Sequence, residues 1–239
     1  MDFERFDRAS ALCDSGETEE SMREFEALAL QATNDDERGL AIHYQANSAL
    51  LLGRVKEARK LWLRATTMGT GPFSDALDAR LCIAEGRSEE AVQKLTTFLR
   101  TYVELRSPGN WNAYADAQRD LGRLLFNLER FPEALGPLNG ALELAEEGDR
   151  RKEICFYLGV CHYLDGKLEP AETKLIESLP ADRSDQWWVH AQFYLGCVYY
   201  KQRSYLKARW SFEASLSFID DSDTELKEKV LKWLAAIPL

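Results

Sequence analysis

Small, large apolar and polar positions recur along this chain at fixed offsets. Ser21, Ala58, Ala91, Ala134, Ala171 and Ala208 mark equivalent points, at intervals of 37, 33, 43, 37 and 37 residues. Four residues after each stands a large apolar side chain: Phe25, Trp62, Leu95, Leu138, Leu175 and Phe212. Twelve residues before each stands a small one: Ala9, Ala46, Ala79, Gly122, Gly159 and Gly196. The spacing predicts a helix–turn–helix unit used six times. The marker residue and the large residue four positions on share one face of a second helix, and the small residue lets a first helix approach it closely. The units fall near residues 2–35, 39–72, 72–105, 111–148, 152–185 and 188–221, one array over 1–221.

Helix-end signals support this division. Gly16, Gly53, Gly86 and Gly166 follow four of the first helices, and glycine suits the left-handed conformation that ends a helix. Capping and acidic residues such as Ser88-Glu89-Glu90 open second helices, and Pro132 and Pro170 fall in first turns, where a missing N–H costs little. Three features break the regularity. Ser107-Pro108-Gly109-Asn110 is a loop signal inside the longest interval. Gly136-Pro137 lies within a second helix and is expected to kink or shorten it. Residues 222–239 form a seventh element: Ser222 and Glu225 read as a capping box, and Leu226, Val230, Trp233, Leu234 and Ile237 form one stripe. That helix is expected to cap the open end of the sixth unit and to bury Trp233 and Leu234.

The segments Leu-Gly-Arg-Leu-Leu-Phe at 121–126, Leu-Gly-Val-Cys-His-Tyr at 158–163 and Leu-Gly-Cys-Val-Tyr-Tyr at 195–200 resemble the Leu-Gly-x-x-Tyr signature of the tetratricopeptide repeat, a 34-residue helical hairpin. Leu125 and His162 replace the tyrosine in two of them. In the first three units Arg8, Gln45 and Asp78 replace the leucine before the small residue. The resemblance covers about residues 2–220. It implies an all-α, right-handed superhelical solenoid of about six hairpins with a C-terminal capping helix, whose first helices line a concave groove.

Charge narrows the partners. Lys and Arg number 30 against 40 Asp and Glu, a net charge of −10, which argues against nucleic-acid or membrane-surface binding. No stretch approaches the ~20 apolar residues of a membrane helix, and the acidic start MDFERFDRAS lacks a signal-peptide core, so a cytoplasmic location is expected. The odd count of five cysteines, with no Cys-x-x-Cys, indicates small buried thiols and not a disulfide framework or zinc ribbon. Phosphate-loop, dinucleotide, zinc-protease and Gly-x-Ser-x-Gly motifs are absent, and His43, His162 and His190 have no second ligand at metal spacing. The expectation is a non-catalytic protein with no cofactor and no metal.

The candidate chemistry lies on the stripe of the first helices that faces away from the second. It runs through His43 and Asn47, Arg80, Arg119 and Arg123, Phe156, Phe193 and Tyr200. Clustered guanidiniums in an acidic protein favour carboxylate or phosphate partners, or else they pair with acids such as Asp116 and Asp120. The aromatic residues contact a neighbouring repeat, the terminal helix or a ligand. The resemblance also implies a comparison with the two-carboxylate clamp of some family members. Asn47, Arg119 and Arg123 match it, whereas His43 stands for a lysine and Leu77 for an asparagine. The function expected is a scaffold or interaction module whose groove holds a partner's peptide segment, acidic or with a free C-terminal carboxylate. A peptide-sensing regulator and a self-associating structural subunit are the alternatives.

Overall fold

A computed structural model of the chain describes residues 2–69, 73–105, 111–146, 148–182, 186–220 and 222–238. Every regular element among them is a helix. The order is α1 (Phe3–Asp14), α2 (Thr18–Gln31), α3 (Asp35–Leu51), α4 (Val55–Thr66), α5 (Phe73–Ala84), α6 (Ser88–Leu105), α7 (Trp111–Asn127), α8 (Phe131–Leu144), α9 (Asp149–Leu164), α10 (Leu168–Glu177), α11 (Gln186–Lys201), α12 (Tyr205–Phe218) and α13 (Thr224–Ala236). The chain divides into two compact units, 1–117 and 118–239. In the first, α3 packs against both α2 and α4, and α5 against α4 and α6. In the second, α9 packs against α8 and α10, α11 against α10 and α12, and α13 against α12. Each unit is thus an all-α stack of helical hairpins.

The two residue columns of the repeat meet in space. A Cβ atom on Gly122 would lie 2.5 Å from Leu138 Cγ, one on Gly159 2.7 Å from Leu175 Cγ, and one on Gly196 2.5 Å from Phe212 Cε1. Each glycine lets the second helix of its hairpin settle at a distance that no side chain allows. In the first three units the small residue is alanine, and Ala9, Ala46 and Ala79 are fully buried.

The hairpin turns share one geometry whatever residue occupies them. Gly53, at φ +72°, sits between two closing bonds: its own N–H donates to the Leu50 carbonyl, and the Arg54 N–H donates to the Ala49 carbonyl. The fourth and sixth units lack the glycine but keep the conformation. Glu129 and Arg203 take φ of 59° and 61°, and the next N–H bonds back in the same way, Arg130 to Leu125 and Ser204 to Tyr199. The left-handed region costs an L-residue ~1–2 kcal/mol, against ~0.4–1 kcal/mol that glycine loses through the unfolded chain. Glu129→Gly and Arg203→Gly are therefore each expected to stabilise the fold by about 0.5–1 kcal/mol, read as a small rise in the thermal midpoint; an unchanged or lower midpoint contradicts this account of the turn.

Several sequence expectations need correction. α8 is not shortened at Pro137; it keeps 14 residues, as do α2 and α12. The carbonyl that loses its donor belongs to exposed Glu133, where water can serve it. The cap of α13 is Asp223, whose carboxylate accepts from the Leu226 N–H at 3.0 Å; Ser222 instead bonds Asp220. Trp233 and Leu234 are only half-buried, and the buried residues of that helix and its end are Leu226, Val230 and Ile237. Trp233 nevertheless stacks on Phe212 at 6.0 Å and meets Tyr200 edge-on at 5.0 Å. The loop expected at Ser107–Asn110 lies outside the described residues.

Candidate functional site

In the first unit the expected groove residues are His43, Asn47 and Arg80, of which Asn47 and Arg80 are hydrogen-bonded to each other. His43 on α3 is buried, its Nδ1 has no hydrogen-bond partner, and burial, aided by the charge of Arg80, pushes its pKa down to about 4. One turn along, Asn47 Oδ1 accepts from Arg80 Nη1 at 3.4 Å, and Arg80 Nη2 lies 3.5 Å from Asp116. Arg80 therefore ties α3 and α5 to the first turns of α7. Asp78, which stands where the repeat signature has leucine, is buried between Arg59 of α4 and Lys94 of α6. Arg59 also pairs with Glu85 at 2.8 Å. Those two cations supply the charge that a carboxylate at this depth requires.

In the second unit the expected aromatic stripe is filled by its own neighbours. Phe156 and Phe193 belong to the core with Val160, Tyr163 and Cys197. Tyr194 accounts for much of this, standing 6.0 Å from Phe156, 5.2 Å from Phe193 and 6.0 Å from Tyr163. The Lys201 ammonium covers the Tyr163 ring at 4.0 Å. Tyr200 is half-buried against α13 and donates its hydroxyl to the Ala236 carbonyl at 3.2 Å. Arg119 lies 3.3 Å from Asp120 and is largely covered.

What stays open on these first helices is Arg123 of the expected stripe together with Trp187 beside it. The Arg123 side chain is 43 % exposed and faces Glu153 across 3.2 Å. Burial raises the pKa of the nearby Tyr157 hydroxyl, and the charge of Arg123 opposes that rise. Trp187, 38 % exposed, stands edge-on over Phe156 at 5.0 Å and Tyr157 at 5.7 Å. A recess of about 250 Å³ runs past Glu153, Ser178, Pro180 and Trp187. The arrangement offers a cation, a carboxylate and an aromatic ledge side by side. Tyr157, Glu153 and Trp187 were not among the residues singled out from the sequence. Trp187 stands at the start of α11 beside Trp188, and only packing decides that Trp188 is buried while Trp187 is not.

Among the described residues no three His, Cys, Asp or Glu side chains gather as a metal site. Burial holds the thiols of Cys155, Cys161 and Cys197 up, to about 11, 12 and 12, so they stay protonated at neutral pH. No helix among the described residues is long and apolar enough to cross a membrane.

Burial of the histidines does set a pH response. His162 and His190 are also pushed down, in both cases mainly by burial. The unfolded chain takes up protons near pH 6.5 whereas folded His43 resists until about pH 4, so stability is full above 6.5 and falls as the pH drops toward 4. That interval bounds the His43 contribution at ~3 kcal/mol, at ~1.36 kcal/mol per pH unit. Glu85, held down to about 2 chiefly by Arg59, adds its own loss only below pH 4.5. Urea unfolding at pH 7 and pH 5 is expected to show a lower midpoint at pH 5, with a smaller drop in His43→Leu. Equal drops in parent and variant would remove His43 from the explanation.

Residues 79–149 match a tetratricopeptide-repeat family model. No curated protein matches the chain. Solved structures resemble it in fold at low identity. BtubC from P. vanneervenii is 18 % identical with a TM-score of 0.61, over 92 % of this chain and 89 % of its own. YrrB, described as a TPR protein with an unusual peptide-binding site, is 19 % identical with a TM-score of 0.62, over 81 % and 92 %. The apo form of RapI is 12 % identical with a TM-score of 0.71, over 98 % and 70 %. The family signature at 79–149, the glycine–large-residue contacts of the fourth to sixth hairpins and this likeness of fold make the chain an all-α helical-repeat protein similar to tetratricopeptide-repeat proteins.

Proposed function

We propose that this chain is a non-catalytic interaction module that holds a peptide segment of a partner protein on the first-helix face of its second unit. The observation that carries the reading is the half-exposed Trp187 ledge beside the exposed guanidinium of Arg123. A carboxylate of the segment, side-chain or C-terminal, displaces Glu153 as the partner of Arg123 while an apolar side chain lies on Trp187. Arginine is suited to this, because its planar fork grips a carboxylate through two N–H donors. Within the first unit Arg80 and Asn47 tie α5 to α3, and within the second Tyr200 ties α11 to the end of α13. YrrB, a neighbour in fold, is described as binding a peptide.

The test is selection of octapeptides with free carboxyl termini on the parent protein, followed by calorimetric titration of the selected peptide against Arg123→Glu and Trp187→Ala. Losing a charge-assisted contact costs ~1.5–3 kcal/mol, about tenfold to a hundredfold in affinity. Added salt is expected to weaken binding, since charges at this exposure are screened over ~8–10 Å. Affinity unchanged in both variants would reject the site.

A further inference from the structure

A second opening in the same unit lies on α10, α11 and α12, away from the residues just described. It is a groove of about 510 Å³ whose floor and walls are mostly apolar. Leu206 and Trp210, one helical turn apart on α12, form one wall; they are 87 % and 61 % exposed. Ile176 of α10 forms the other and is also exposed. This volume falls in the range of pockets that accept ligands or anchor side chains, ~300–1,000 Å³. Single exposed apolar residues need no explanation, but a groove walled by three of them does.

The floor carries the more telling feature. Gln192 is 3 % exposed and Ser211 is wholly buried, and both line the groove. Neither Gln192 Oε1 nor Ser211 Oγ has a hydrogen-bond partner. Buried polar atoms are nearly always paired, so two orphans in one groove mark places where a ligand supplies the missing bonds. Their chemistry is complementary: the amide oxygen accepts, and the hydroxyl donates as well as accepts. A peptide group carries both functions, an N–H for Gln192 and a carbonyl for Ser211.

Charge selects among peptides. Residues 186–212, which supply α11 and the first half of α12, contain Lys201, Arg203, Lys207 and Arg209 and no Asp or Glu, in a chain of net charge −10. Lys207 stands at the groove itself, its ammonium 5.1 Å from the centre of the Tyr199 ring. An acidic segment is drawn to this stretch and repelled by most of the remaining surface.

We infer that the groove on α10, α11 and α12 is a second peptide site, which takes an extended segment of a partner protein combining apolar side chains with carboxylates. Apolar side chains of the segment enter between Ile176 and Trp210, its backbone satisfies Gln192 and Ser211, and its carboxylates lie over Lys207. The site is independent of Arg123 and Trp187 and stands whether or not the first-helix face binds a peptide.

The experiment uses two fluorescein-labelled octapeptides, one alternating Glu with Leu and the other Lys with Leu, titrated against the full chain. The Glu–Leu peptide is expected to bind and the Lys–Leu peptide not to. In the Arg123→Glu background, which disables the first-helix site, Trp210→Ala and Lys207→Glu, both at exposed positions, are expected to weaken the Glu–Leu peptide at least tenfold, whereas Lys56→Glu, the same charge reversal at an exposed position of the first unit, leaves it unchanged. Gln192→Leu is the sharper variant. It removes an unpaired buried acceptor, so it is expected to raise the thermal midpoint while weakening the peptide. No binding of the Glu–Leu peptide, equal binding of both peptides, or affinity indifferent to Trp210→Ala and Gln192→Leu would overturn the assignment. So would sedimentation showing that the parent self-associates through this face, with Trp210→Ala dissociating it and the peptide failing to compete.

Discussion

Gly196→Leu is expected to lower stability by about 3 kcal/mol, at the upper end of what overpacking costs, and Gly159→Leu by a similar amount. At Gly196 the first atom of any side chain already meets the Phe212 ring at 2.5 Å, and at Gly159 it meets both Leu175 Cγ at 2.7 Å and the Leu175 backbone nitrogen at 3.0 Å. A side chain can rotate away, but a backbone atom moves only with its helix, so α10 must lift from α9. For a chain of this size ~1 kcal/mol shifts the thermal midpoint by ~2–4 °C, giving an expected fall of roughly 10 °C. Gly136 supplies the control. A Cβ there meets nothing within 4 Å, so Gly136→Ala is expected to stabilise α8 by up to ~1 kcal/mol through helix propensity alone. A rescue follows from the third hairpin, where Ala79 and Leu95 occupy the paired columns and both are fully buried. Gly196→Ala is expected to be destabilising alone and to recover when combined with Phe212→Leu. Thermal melts that rank Gly136→Ala and Gly196→Leu alike would refute the proposed packing.

Removing α13 by truncation after Asp220 is expected to cost about 3 kcal/mol and to promote aggregation. Leu226, Val230 and Ile237 are buried. Such side chains contribute ~1.5–3 kcal/mol each on burial, part of which is offset by the conformational entropy of ordering the helix. Truncation also strips Trp233 from the face of Phe212, which is itself fully buried. The end of the sixth hairpin then presents an apolar face to solvent, as repeat arrays do when their caps are lost. Light scattering and a thermal melt check this directly. A truncated chain that stays monomeric with an unchanged midpoint would make α13 a dispensable appendage. Leu226→Ala asks the same question without removing backbone, and the loss expected is ~2 kcal/mol or more.

Much of the fold was legible in the sequence because it rests on contacts at fixed chain separation. The small and large columns lie within one hairpin, so their spacing is set by helix rise and turn length, and the contact between Gly159 and Leu175 follows from arithmetic. The turns were legible where glycine marks them. At Glu129 and Arg203 the same left-handed turn is held by the bonds from Arg130 to Leu125 and from Ser204 to Tyr199, with no residue signal to announce it. The α13 stripe was likewise visible, although the cap fell on Asp223 because Asp220 had already engaged Ser222.

The candidate sites were legible only in part, because they depend on contacts between hairpins. Helical spacing placed Phe156 and Phe193 on the outward stripe of their helices, yet it carried no information that Tyr194 would fill that space. It offered Asp116 and Asp120 as acids for the arginines, and these face Arg80 and Arg119, but it did not offer Glu153, which the next first helix brings to Arg123. Leu206 and Trp210 drew no notice in the sequence, because the groove they wall needs Ile176 and Gln192 from two other helices. The helical units, their register and the glycines at close contact follow from residue spacing, since each depends on neighbours within one hairpin. Which aromatic residues are core, how the charges pair and where two buried polar atoms go unsatisfied emerge when the chain is folded, since burial and pairing depend on which side chains of successive hairpins meet.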